Sequence, residues 1–178
     1  MTMKPNLLVH RYAKAFLELA VQNDLVDKTL DDLLLIKTTI EDNKELDSLI
    51  HQPFVSKERK ANILNRLFAD RVATISLNLV NLLIEKNRDS IITDIYDKYY
   101  EIYLDYKKIA VVTVTSAVAL DEKTSTRIVN ILKHKIVNKD TIEIKNVVDQ
   151  TIIGGFIVKY NDYVYDASVT HTLKRLHS

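Results

Sequence analysis

Only two glycines occur in 178 residues, and they stand side by side as Gly154-Gly155 within Asp149-Gln-Thr-Ile-Ile-Gly-Gly-Phe-Ile-Val-Lys-Tyr160. Glycine takes positive φ and close backbone approach without a steric penalty. A chain so poor in it should have few such positions. Placing both glycines in one apolar, strand-like run predicts a bulge or a tight packing point there, not a flexible loop.

The periodicity of apolar residues divides the chain in two. Residues 1–107 read as helical. Tyr12, Ala15, Phe16, Leu19 and Ala20 recur at helical spacing after Pro5, and Leu25 to Ile40 repeats the pattern with Asp24, Asp27, Asp31 and Asp32 in its early turns. Pro53 ends a short third helix, and Ser56 can cap a fourth over Lys57 to Phe68, with Ile63, Leu64 and Leu67 inward. Ala73 to Lys86 is apolar nearly all the way round, and Asp89 to Lys107 forms a last helix. Six short helices with short connections suit a bundle.

After Lys107 the pattern becomes β-branched and alternating over Ile109–Ser116, returns to helical period over Leu120–Ile136, and alternates again over Thr141–Val147 and Ile152–Tyr160. Tyr160-Asn-Asp-Tyr163 suits a hairpin turn, with Val164–Asp166 returning, and Ser168 can cap a final helix bearing Val169, Leu173 and Leu176. The fold class expected is α+β: a six-helix bundle over 1–107, then a small β-α-β-β-β-α domain over 108–178.

Composition removes several classes of function. No cysteine is present, so neither disulfides nor thiol chemistry contribute. The longest apolar runs fall short of the about 20 residues that span a bilayer, and the N-terminus lacks the features of a signal peptide. Net charge is +1 overall. Residues 1–107 hold 15 basic and 17 acidic side chains, net −2, and residues 108–178 hold 10 and 7, net +3. Neither reaches the clustered basicity of a nucleic-acid binder. A nucleic-acid-binding module on the small second domain is the alternative reading, and it lacks a basic stripe with stacking aromatics.

The five histidines at 10, 51, 134, 171 and 177 are scattered, without metal-ligand spacing, so no metal is expected. Gly154-Gly155 matches neither the phosphate loop nor the dinucleotide fingerprint. Thr113, Thr115 and Ser116 lie in a strand with no nucleophile elbow nearby. No cofactor and no catalytic residue is expected. Tyr96, Tyr99, Tyr103 and Tyr106 share one stripe of the sixth helix, with Tyr100 to one side; coincidence with that helix's isoleucine face favours packing over an exposed interface. Two readings of the stripe Tyr12, Ala15, Leu19 and of the all-round apolar helix 73–86 stay open. Helix 73–86 is buried at the centre of the bundle, or it leaves a groove for a partner's amphipathic helix.

Four blocks in order carry a family resemblance: Arg11-Tyr-Ala-Lys-Ala-Phe-Leu-Glu-Leu-Ala20; Asn78-Leu-Val-Asn-Leu-Leu-Ile-Glu-Lys-Asn-Arg88; Val112-Thr-Val-Thr-Ser-Ala117 with Leu120; and Val148-Asp-Gln-Thr-Ile-Ile-Gly-Gly-Phe-Ile-Val158. With Asp166 and Ser168 they resemble the delta subunit of F-type ATP synthase, whose mitochondrial counterpart is the oligomycin sensitivity-conferring protein. The resemblance implies a non-catalytic stator component, one copy per complex. Its first domain would take the N-terminal helix of an alpha subunit along a groove between the first and fifth helices, here at Tyr12, Ala15, Leu19, Leu79, Leu82 and Leu83. Its second domain would meet the C-terminal region of the peripheral-stalk b subunit. It implies no nucleic acid, membrane association only through the complex, and, with no transit peptide, the cytoplasmic face of a bacterial membrane. Two features depart from the family pattern: Asn161-Asp162 stands at a turn where glycine is common, and the last helix is about a turn shorter than usual.

Overall fold

The computed structural model describes residues 5–152, 154–161 and 163–166. The final helix expected after Ser168, and Asp162 of the expected turn, lie outside the described residues. By contacts the chain divides into two compact units, Met1–Tyr103 and Leu104–Ser178. That division falls inside the sixth helix, a few residues before the change in periodicity after Lys107.

The first unit holds α1 (Pro5–Gln22), α2 (Val26–Glu41), α3 (Lys44–His51), α4 (Lys57–Phe68) and α5 (Thr74–Glu85), then a 3₁₀ turn (Asp89–Ile91) leading into α6 (Ile92–Tyr106). One apolar core draws on all six helices, through Phe16, Ile36, Ile50, Phe68, Leu83 and Ile95 among others. Ser56 caps α4 as expected, its hydroxyl accepting from Arg59 N at 3.3 Å, and Asn43 caps α3 in the same way through Glu45 N and Leu46 N. Within α4, Leu64 takes the core as expected and Ile63 packs against it half-buried, but Leu67 stays on the surface and Phe68 is buried instead.

The second unit is a four-stranded sheet in the order β2-β1-β3-β4. β1 (Ile109–Ser116) is parallel to β2 (Thr141–Val148), and α7 (Glu122–Lys133) makes the crossover that a parallel pair requires. β3 (Phe156–Tyr160) and β4 (Tyr163–Asp166) add antiparallel, with Val114 opposite Val158 and Val158 opposite Tyr165. Ala110, Val112 and Val114 alternate inward along β1 and meet Ile128, Leu132 and Ile136 of the α7 segment. This core is separate from the first. Overall the protein is mixed α+β, with seven α-helices and one sheet among the described residues.

Two expectations about glycine change on contact with the structure. The strand expected from Ile152 begins only at Phe156, and the glycine pair forms the bend that leads into it. Gly155 has φ 81° and is exposed, so turning the chain, not close packing, is what the position requires. Left-handed backbone is also commoner than the glycine count suggested: Asp24, Asn87, Lys108, Asn138 and Asn161 all have φ between 49° and 71°. Asn and Asp tolerate this region because their short polar side chains bond locally. Both α1 and α5 end in Schellman motifs built on such residues. Leu25 N reaches Ala20 O at 2.9 Å past Asp24, and Arg88 N reaches Leu83 O at 2.7 Å past Asn87.

Candidate interaction face on α1 and α5

α1 carries two apolar stripes. Val9, Ala13, Phe16, Leu17 and Ala20 are buried and fill the core, whereas Tyr12 is half-buried and Ala15 and Leu19 are exposed. The recurrence read from sequence mixed the two, because Phe16 and Ala20 belong to the inner stripe and Tyr12, Ala15 and Leu19 to its outer flank. Spacing of three, then four, puts residues 12, 15 and 19 on one side of the helix.

In α5 the apolar residues divide between a buried and an exposed face. Leu79 and Leu83 are core residues, 7% and 1% exposed, along with Val80, Ile84 and Ser76. Leu82 projects outward at 40%, close to the 41% of Leu19. Its neighbours on the outer stripe are Asn78 and Glu85, both exposed. Of the six candidate residues, Leu79 and Leu83 are therefore buried, Tyr12 is half-buried, and Ala15, Leu19 and Leu82 are exposed.

Beyond the shared core, a polar side-chain contact links α1 to the residues just after α5. The Arg88 guanidinium Nη1 donates to Tyr12 Oη, and its carbon lies 5.3 Å from the centre of the Tyr12 ring. The Schellman motif fixes where Arg88 leaves the helix, and its charge sits favourably at a helix C-terminus.

The other end of α5 is set by a residue of another helix, read from sequence only as one of the aspartates in the early turns of α2. Ala73, at the N-cap, supplies no side-chain cap. Asp32 of α2 does so instead: buried at 1%, its Oδ2 accepts from Ala73 N and from Ser76 Oγ, both at 2.8 Å, and Oδ1 meets Lys28 Nζ at 2.8 Å. A carboxylate there also complements the helix dipole. Lys60, likewise buried, bonds Asp89 and Ile50 O, at 2.6 Å in the second case, tying α3 and α4 to the 3₁₀ turn. The partners that define both roles are distant in sequence, Ala73 lying 41 positions from Asp32 and Asp89 29 positions from Lys60.

The tyrosine stripe of α6 is packing. Tyr99 is enclosed, Tyr103 Oη bonds Asp27 at 2.8 Å, and Tyr96 stacks on Tyr100 with ring centres 6.0 Å apart. Only Tyr106 at the helix end is exposed.

In the second unit a cavity of about 670 Å³ is lined by Leu132, Lys135, Ile136, Val137, Tyr160, Asn161 and Tyr163. Its one cation, Lys135, lies 4.5 Å from the Tyr165 ring centre. Among the described residues no cluster of His, Asp and Glu could hold a metal, and no helix is long and apolar enough to cross a membrane.

Residues 8–178 match the family profile described as ATP synthase delta (OSCP) subunit. ATP synthase subunit delta of Flavobacterium psychrophilum is 36% identical over 168 residues, covering 93% of this chain and 92% of that protein. The same subunit of Bacillus thuringiensis is 32% identical over 174 residues, covering 98% and 96%. In structure, the chain is similar to one in the mitochondrial ATP synthase hexamer of Toxoplasma gondii, with a TM-score of 0.64 at 21% identity and 96% and 95% coverage. At that identity the likeness concerns the fold.

Proposed function

This chain belongs to the ATP synthase delta (OSCP) subunit family, and on that premise we propose that it is the non-catalytic stator connector of a rotary, proton-translocating ATP synthase. It holds the catalytic head against the peripheral stalk while the rotor turns. The six-helix bundle of the first domain receives the N-terminal helix of an alpha subunit, and the small second domain meets the C-terminal region of the b subunits. The protein sits on the cytoplasmic face of a bacterial membrane, attached only through the complex.

The observation that carries this reading is the outward placement of Leu82 and Leu19 at 40% and 41% exposure, on the two helices that the family resemblance assigns to the groove. Leu79 and Leu83, on the same helix as Leu82, are buried in the core. A docked amphipathic helix covers leucines that otherwise face water, at about 25 cal/mol for each Å² of apolar surface removed. Two interfaces on one chain raise the effective affinity of the assembly, because the second contact forms within an existing complex.

Calorimetric titration of the full chain with a synthetic peptide of the cognate alpha subunit's N-terminus tests the reading. Saturable 1:1 binding that is lost in Leu82→Asp is expected. A folded chain that binds nothing would reject the assignment.

A further inference from the structure

We propose that Arg88 and Tyr12 together receive a carboxylate of the docked partner helix, and so fix where along its length that helix seats. The proposal rests on the connector reading above and goes beyond it by assigning a charged recognition point beside the exposed leucines.

Arg88 is half-buried and, among the described residues, has no carboxylate partner. The acidic residues nearest in sequence are committed elsewhere: Asp89 to the Lys60 ammonium and Glu85 to Lys86 at 3.0 Å. A guanidinium carries five N–H donors in a planar fork, and one of them goes to Tyr12 Oη. That hydroxyl accepts from Arg88, which leaves its own proton free to donate outward. A phenol already bonded to a cation is a better donor, since linked hydrogen bonds polarise one another. The pair therefore presents convergent N–H and O–H donors around one positive charge. Its complement is a carboxylate, because a bidentate charge-assisted contact uses the fork geometry and neutralises the charge at once.

The placement also suits register. Arg88 is held by its backbone bond to Leu83 O at 2.7 Å, and its guanidinium is braced on the Tyr12 ring, so the site is preorganised. Apolar contact with Leu82 and Leu19 tolerates sliding of a helix by a turn; a single charged anchor does not. The partner is an amphipathic helix bearing an acidic residue at the edge of its apolar stripe.

The test uses the full chain and the synthetic alpha-subunit N-terminal peptide, at low and moderate salt. Arg88→Gln should weaken binding about tenfold or more and flatten its salt dependence. Tyr12→Phe should weaken it about threefold while keeping the salt dependence, since only a neutral donor is lost. Arg88→Lys should keep the salt dependence but lose part of the affinity.

Changing the peptide's acidic residues one at a time to their amides separates recognition from scaffolding. One such change should cost little further affinity against Arg88→Gln, a coupling that a merely structural arginine would not produce. If the wild type binds and no peptide carboxylate couples to Arg88, the proposal is overturned while the connector reading stands. If a folded wild-type chain does not bind, both fall.

Discussion

Tyr99 is enclosed on every side, yet its hydroxyl lies 2.6 Å from Thr29 Oγ1, itself buried and bonded to Leu25 O at 2.9 Å. Burial pushes the phenol's pKa up, partly offset by the Thr29 bond, so the group stays protonated and structural. Tyr99→Phe should cost about 1 kcal/mol, because Thr29 keeps its backbone acceptors and no buried donor is orphaned. Denaturant unfolding would measure it. Asp32→Ala should cost more, about 2–4 kcal/mol, because it strands the donors at the start of α5 and leaves Lys28 without its carboxylate. A loss under 0.5 kcal/mol would show that α5 starts without this cap. Thr29 and Asp32 look like ordinary polar positions on an amphipathic helix until distant partners are known.

At the scale of elements, apolar periodicity was informative wherever an element made its own argument. β1 and α4 start and end where their residues predicted, and Ser56 caps α4. Legibility failed where tertiary packing chose between faces. α1 offered two apolar stripes, α4 put Phe68 and not Leu67 inward, and α5 read as uniformly apolar although it exposes Leu82. Backbone geometry was legible at the hairpin turn, where Asn161 takes the left-handed position, but not at Asp24, Asn87, Lys108 and Asn138. Gly155→Val should destabilise the second unit by about 1–2 kcal/mol, since a β-branched residue at φ 81° meets the left-handed penalty. Lys108→Gly, at φ 53°, should have the opposite sign and raise stability by up to about 1 kcal/mol. Melting curves of the two variants would check both signs.

The start of α7 carries a pH dependence. Asp121 is held below the usual carboxylate range by bonds from Thr124, and Asp149 is lowered in the same way by Thr151. A depressed folded pKa contributes stability that is present above the unfolded value of about 3.9 and lost as pH falls through the folded value. The second unit should therefore weaken in acid below about pH 4, and Asp121→Ala should shrink that slope in an acid titration followed by circular dichroism.

For the whole molecule, two cores that share no buried residue imply two cooperative units. Calorimetry should resolve two unfolding transitions, with Gly155→Val moving one and Asp32→Ala the other; a single transition shifted by both would count against independence. Leu82 is exposed on the first unit, so Leu82→Asp should leave both transitions within about 0.5 kcal/mol, as expected for a surface change.

The tertiary cap on α5 has a consequence in time. Chains leave the ribosome N-terminus first at about 5–20 residues per second, and Asp32 precedes Ala73 by 41 positions. The acceptor that starts α5 therefore emerges some seconds, roughly two to eight, before the helix that needs it, whereas helix formation relaxes in about a microsecond or less. The helix that carries Leu82 is thus born next to a waiting cap, and a circular permutant that makes α2 after α5 would have to expose that leucine-rich segment, unstarted, for the whole interval.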